Sequence, residues 1–172
     1  MYKITDRDDI KRYTGNIFRN GLPKGVSTGI PNLDPHYKYR KGELDVIMGM
    51  ANIGKTTTMF YLMLNASMRY GWKWLCYCPE NEPVGDMITD IAEMFIGKSS
   101  DKDRSDRMKA YEFSTAIDWV LDHFTIVTFD TSPTAADVLN AFEEVMSEDH
   151  YDGCLLDPVN DLKVENGMSK YD

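Results

Sequence analysis

Apolar side chains along this chain recur at two spacings, and their alternation divides it into short strands and amphipathic helices. Within residues 5–20, Ile10, Tyr13, Ile17 and Phe18 stand in an otherwise polar stretch at helical spacing. They predict a short amphipathic helix that covers the domain, serves as a linker or docks on a neighbour. A breaker-rich joint at 21–25 follows. After Gly42, the run Leu44, Asp45, Val46, Ile47, Met48 is short and β-prone. Met59, Phe60, Met63 and Ala66 then mark one face of a helix over 55–70, with Gly71 suited to its C-terminal cap.

Residues 72–78 read as the second strand, stopped by Pro79 and Pro83. Pro83 fits the first turn of a helix whose stripe is Val84, Met87, Ile88, Ile91 and Phe95, running through Gly97. A charged loop at 98–106 leads to a helix over 107–123, with Met108, Tyr111, Ala116, Ile117, Val120 and Leu121 mostly facing a core. Residues 124–129 form a third strand. Ser132 as N-cap with Pro133 behind it opens a helix to Glu148, striped by Ala135, Val138, Leu139, Phe142, Val145 and Met146. Residues 153–157 form the fourth strand, ending on Asp157.

Strands separated by helices imply an α/β fold with a largely parallel sheet covered by helices on both faces. The chain divides into a linker or amphipathic helix at 1–20 and the sheet-bearing segment 21–172. In such a sheet the ligand site lies beyond the carboxyl ends of the strands. Three chemical features converge there: the loop at 49–56, Glu80 and Asp157.

The loop Gly49-Met50-Ala51-Asn52-Ile53-Gly54-Lys55-Thr56 fits the pattern G-x-x-x-x-G-K-[ST], between a predicted strand and a predicted helix. Its glycines let successive backbone N–H groups turn inward toward an anion, and the helix start adds unpaired N–H groups and a positive dipole end. Lys55 can reach the β- and γ-phosphates of a nucleotide, and the Thr56 hydroxyl can ligate Mg²⁺. Thr57 can reach the α-phosphate or merely begin the helix. The plainer alternative is a tight strand-to-helix turn bearing an exposed lysine; the full match and its flanks favour nucleotide binding.

Asp157 reads as a second acid of the phosphate site, holding Mg²⁺ with Thr56. The alternative is an ordinary strand-terminal aspartate starting a turn before Pro158. Glu80 reads as the general base that polarises an attacking water. Glu82 competes for that role, and both also supply helix N-terminal charge. Asn160 and Asp161 can sense the γ-phosphate or serve as turn residues. Trp72 and Trp74 fit core and rim packing better than a base-stacking platform.

Composition narrows the picture. Apolar content of 42% and charged content of 27% over 172 residues suit one globular domain. No apolar run approaches the roughly 20 residues of a membrane span, and the start lacks the apolar segment of a signal peptide. The expected location is cytoplasmic, in a bacterium or a phage-infected host. Net charge is −9, with lysines and arginines dispersed, so no nucleic-acid-binding surface is advertised by this segment alone. The three cysteines, Cys76, Cys78 and Cys154, lie in predicted strands and read as buried reduced thiols. The three histidines are scattered and support no metal cluster.

Taken together, Ser27-Thr28-Gly29 with Leu33-Asp34, Gly42-Glu43-Leu44, the 49–56 loop, Cys78-Pro79-Glu80-Asn81 and Leu156-Asp157-Pro158-Val159-Asn160-Asp161 resemble the RecA-type motor of replicative DNA helicases. The resemblance is to the DnaB/Twinkle group, including phage primase-helicases, and it covers about residues 21–172. It implies a RecA-like P-loop NTPase fold that binds ATP and Mg²⁺, translocates on single-stranded DNA and assembles as a homo-hexameric ring. It implies Lys55 and Thr56 as phosphate and magnesium ligands, Glu80 as the base, and Asp157 as the Walker B acid.

The group continues with a sensor segment, DNA-binding loops, an arginine finger and a strand placed between the loop-bearing strand and the Walker B strand. From Lys163 onward there is room for no more than a fragment of the sensor segment, and the intervening strand has no candidate here. The expectation is therefore an incomplete sheet and a truncated motor that binds nucleotide weakly and unwinds nothing. A RecA/RadA-like recombination or repair ATPase, and a stand-alone nucleotide-responsive regulator, are the alternatives.

Overall fold

A computed structural model describes residues 5–22, 24–159 and 162–163 of the chain, which falls into two compact units, residues 1–43 and 44–172. In the first unit, α1 spans Arg7–Asn20. The Asp6 carboxylate accepts from the N–H groups of Asp8 and Asp9, satisfying donors that the first helical turn leaves open. None of its residues is buried, and Phe18 is 92% exposed.

The rest of this unit is organised by Asp34. Its carboxylate accepts from the Thr28 N–H and hydroxyl, both at 2.7 Å, and from the Ser27 hydroxyl at 2.5 Å. The Ser27 and Thr28 hydroxyls in turn accept from the N–H groups of Gly29 and Ile30. These bonds, led by the Ser27 hydroxyl, hold the Asp34 carboxyl below its ordinary range. A Val26–Tyr39 antiparallel bridge closes the segment. The Ser-Thr-Gly…Leu-Asp motif is thus a self-bonded turn.

The second unit is a three-stranded parallel sheet with helices on both faces, compatible with a RecA-like fold. Its elements are α2 (Lys55–Tyr70), β1 (Trp74–Tyr77), α3 (Val84–Ile96), α4 (Ala110–His123), β2 (Phe124–Ile126), α5 (Ala135–Glu148) and β3 (Gly153–Leu156). The strand order is β2-β1-β3. All four residues of β1 are buried, as a central parallel strand requires.

Alternation along β1 assigns the faces. Leu75 and Tyr77 join Val138 and Phe142 of α5 in one cluster. On the other face, the Trp74 indole N–H donates to the Met63 carbonyl and the Ser67 hydroxyl of α2 at 3.1 and 3.0 Å. Gly153 lies beside that indole. A Cβ there would fall 2.4 Å from a Trp74 ring carbon, so only glycine lets β3 pair at this register.

Several boundaries differ from the sequence expectation. The run Leu44–Met48 forms no strand: it joins no sheet among the described residues, Leu44 is 90% exposed and Met48 87%. Apolar β-prone residues do not make a strand without a neighbour to accept their backbone hydrogen bonds. Thr134, rather than Ser132, caps α5, because its hydroxyl accepts from the Asp137 N–H while the Asp137 carboxylate accepts from the Thr134 N–H. The third strand stops at Ile126, and α4 begins at Ala110 because Lys109 with Glu112 forms its cap. Leu139 and Met146 lie on the exposed side of α5, leaving Val138 and Phe142 buried and Val145 partly buried against the same cluster.

Cys76 and Cys78 are buried, with their thiols pushed up, Cys76 chiefly by burial and Cys78 by burial and then by the Asp157 carboxylate, to about 12; Cys154 is exposed. Among the described residues no helix is long and apolar enough to cross a membrane, and no group of His, Cys, Asp or Glu has the clustering of an all-protein metal site.

Leu75 is fully buried and Leu44 almost fully exposed. Urea denaturation should show Leu75→Ala losing about 2–5 kcal/mol, whereas Leu44→Ala should stay within about 0.5 kcal/mol of the parent.

Candidate functional site

The site lies where β1 and β3 end. Their register pairs Tyr77 with Leu156, and the Asp157 N–H extends the ladder by donating to the Tyr77 carbonyl at 3.0 Å. Asp157 therefore leaves the sheet at a fixed point, half-buried. Past the same end of β1, residues Pro79–Asn81 form one 3₁₀ turn, which sets Glu80 exposed at the sheet's carboxyl edge. Glu82 follows as the extended residue before Pro83, also exposed. The shared register thus brings both carboxylate positions to one edge without distinguishing Glu80 from Glu82.

The 49–56 loop meets that edge through Thr56. Its hydroxyl donates to Asp157 Oδ2 at 2.6 Å, across 101 positions of sequence. Two hard oxygen ligands, one of them anionic, thus stand side by side, a donor set suited to Mg²⁺. Lys55 folds back, its Nζ donating to the Met50 carbonyl at 3.0 Å.

Gly54 makes the turn into α2 at φ 83°, and Asn52 also has a positive φ of 61°. Any residue with a Cβ is strained at φ 83°, so the second glycine of the pattern is set by backbone geometry. The first intrahelical bond of α2 runs from the Thr58 N–H to the Gly54 carbonyl. The N–H groups of Lys55, Thr56 and Thr57 consequently precede the helical ladder, the arrangement that draws an anion to a helix start. Residues Gly49, Met50, Ala51, Asn52, Ile53 and Gly54 are all exposed.

Asn160 and Asp161 lie outside the described residues. Trp72 and Trp74 are buried, with ring centroids 5.5 Å apart, in agreement with packing rather than a stacking platform. Sequence reading passed over Cys78 as a neighbour of Asp157. The signal was its place one residue past β1, opposite the end of β3. A thiol held neutral by burial adds no charge beside the carboxylate.

Thr56→Val should remove the bond to Asp157 while keeping side-chain volume. In the free chain it should cost about 1 kcal/mol of stability in denaturant titration.

A scan of protein-family models finds no match, and no solved structure matches. The chain is 32% identical over 161 residues, 90% of its length, to the chloroplastic/mitochondrial Twinkle homolog protein of Arabidopsis thaliana, and it spans 22% of that protein's length. This similarity supports a relationship between the chain and the DnaB-like helicases, the group its motifs resemble.

Proposed function

We propose that residues Gly49 to Thr57, with Asp157, form the ATP–Mg²⁺ site of a RecA-type motor in a DnaB/Twinkle-like replicative helicase. The observation that carries this reading is the 2.6 Å contact between Thr56 and Asp157. Local sequence alone would not place a loop threonine against a strand-end acid so far along the chain. The similarity to a Twinkle homolog over 90% of the chain supports the same reading.

In this reading the N–H groups at the start of α2 and the Lys55 ammonium bind the phosphates. Lys55 exchanges the Met50 carbonyl for phosphate oxygens. Thr56 and Asp157 would hold Mg²⁺, which would supply neutralisation of the phosphate charge. Glu80, standing in solvent past β1, accepts a proton from the attacking water. Translocation on single-stranded DNA and assembly as a homo-hexamer are proposed for the whole motor.

Titration with a fluorescent N-methylanthraniloyl-ATP tests the site. Lys55→Ala should weaken binding at least tenfold, about 1.4 kcal/mol. Glu80→Gln should keep binding and lower any turnover by about 10²–10⁴. Binding by Lys55→Ala equal to that of the parent would overturn the site. Undiminished turnover in Glu80→Gln would move the base to Glu82.

A further inference from the structure

Resting on the reading of Asp157 as a metal-holding acid, we propose that Leu162 and the backbone N–H of Lys163 are positioning residues for that acid. Together they form an anchor, downstream of β3, on which Mg²⁺ affinity depends.

Three observations converge. Leu162 is 8% exposed and joins Leu75, Tyr77, Val138 and Phe142 in the cluster between the sheet and α5. The Lys163 N–H donates to the Pro133 carbonyl at 2.8 Å, and Lys163 forms a parallel bridge with Thr134, the N-cap of α5. Tyr77 serves both ends of the segment. Its carbonyl accepts the Asp157 N–H, while its ring packs edge-on to Phe129, centroids 5.4 Å apart, in the cluster that seats Leu162.

The chain leaving β3 is consequently fixed at Asp157 and again at 162–163. A carboxylate at a strand end has a free exit to move along unless something downstream holds it. Side-chain oxygens serving a metal need placement to within about 0.5 Å, which falls to supporting residues. Without the anchor, the hydrogen bonds that hold Asp157 among the described residues are its N–H bond to Tyr77 and its bond to Thr56, and the second is the one that a metal ion must remodel. The same anchor ties the acid to the first turn of α5, through a backbone bond that no side-chain motif records.

The experiment titrates N-methylanthraniloyl-ATP into the 172-residue chain with Mg²⁺ and with EDTA, for the parent, Asp157→Asn, Leu162→Ala, Leu162→Met and Lys163→Pro. The last removes the anchoring N–H together with the lysine side chain; Lys163→Ala, which keeps the N–H, should bind as the parent does. Leu162→Ala and Lys163→Pro should keep the EDTA affinity within twofold and lose at least fivefold of the Mg²⁺ enhancement. Leu162→Met, which conserves volume, should restore it.

Should Leu162→Ala fail to fold, Lys163→Pro carries the decision. Full enhancement in Lys163→Pro and in any folded Leu162→Ala, with loss in Asp157→Asn, would overturn the anchor and leave the metal site standing. Equal enhancement in the parent and Asp157→Asn would instead overturn the metal role of Asp157, and the anchor with it.

Discussion

The parallel pairing of β1 with β3 is the constraint on which the candidate site depends. Trp74 through Tyr77 lie in register with Gly153 through Leu156, joining segments that no local interaction brings together. The register is enforced by close approach at Gly153 under the Trp74 indole, and by burial of every β1 side chain. A one-residue slip would turn Leu75 and Tyr77 away from α5 and move Asp157 off the Tyr77 carbonyl. Glu80 and Asp157 then occupy one edge as a consequence of strand length.

From that edge the chemistry assembles through few contacts. Thr56 reaches Asp157 because α2 packs its buried face, Leu62 to Ser67, on the side of the sheet where Trp74 bonds to Met63 and Ser67. Position along α2 follows from this packing, and with it the position of the helix start at Lys55. Residues 44–54 are exposed throughout and hold their form by the positive φ angles at Asn52 and Gly54 and the Lys55–Met50 bond. The helical half of the candidate site is therefore mounted on the sheet through α2.

The opposite face of the sheet bears on the same acid. Tyr77 contributes its carbonyl to Asp157 and its ring to the cluster beneath α5, so packing of that helix and placement of the acid share a residue. The capping box of Thr134 and Asp137 fixes the start of α5, where Pro133 and Thr134 meet Lys163. A buried polar or hydrophobic network of this kind transmits displacement because a packed interior has few alternative arrangements.

Much was legible in the sequence. The 3.6-residue stripes located α2, α3 and α5 to within a few residues, because burial of one face writes itself into composition. Gly71 and Gly97 marked helix ends through their left-handed conformation. The glycine–lysine–threonine pattern, Glu80 and Asp157 stood out in the sequence because the proposed chemistry calls for those residue types at those places. What the sequence could not decide was anything set by partners distant along the chain. Whether Leu44 to Met48 forms a strand depends on a neighbouring strand, not on propensity. Which residue caps α5 depends on whether Ser132 or Thr134 faces the first helical N–H groups. That Thr56 touches Asp157, and that Leu162 and Lys163 fasten the chain beyond it, follows from strand register and helix docking, which only the folded chain specifies.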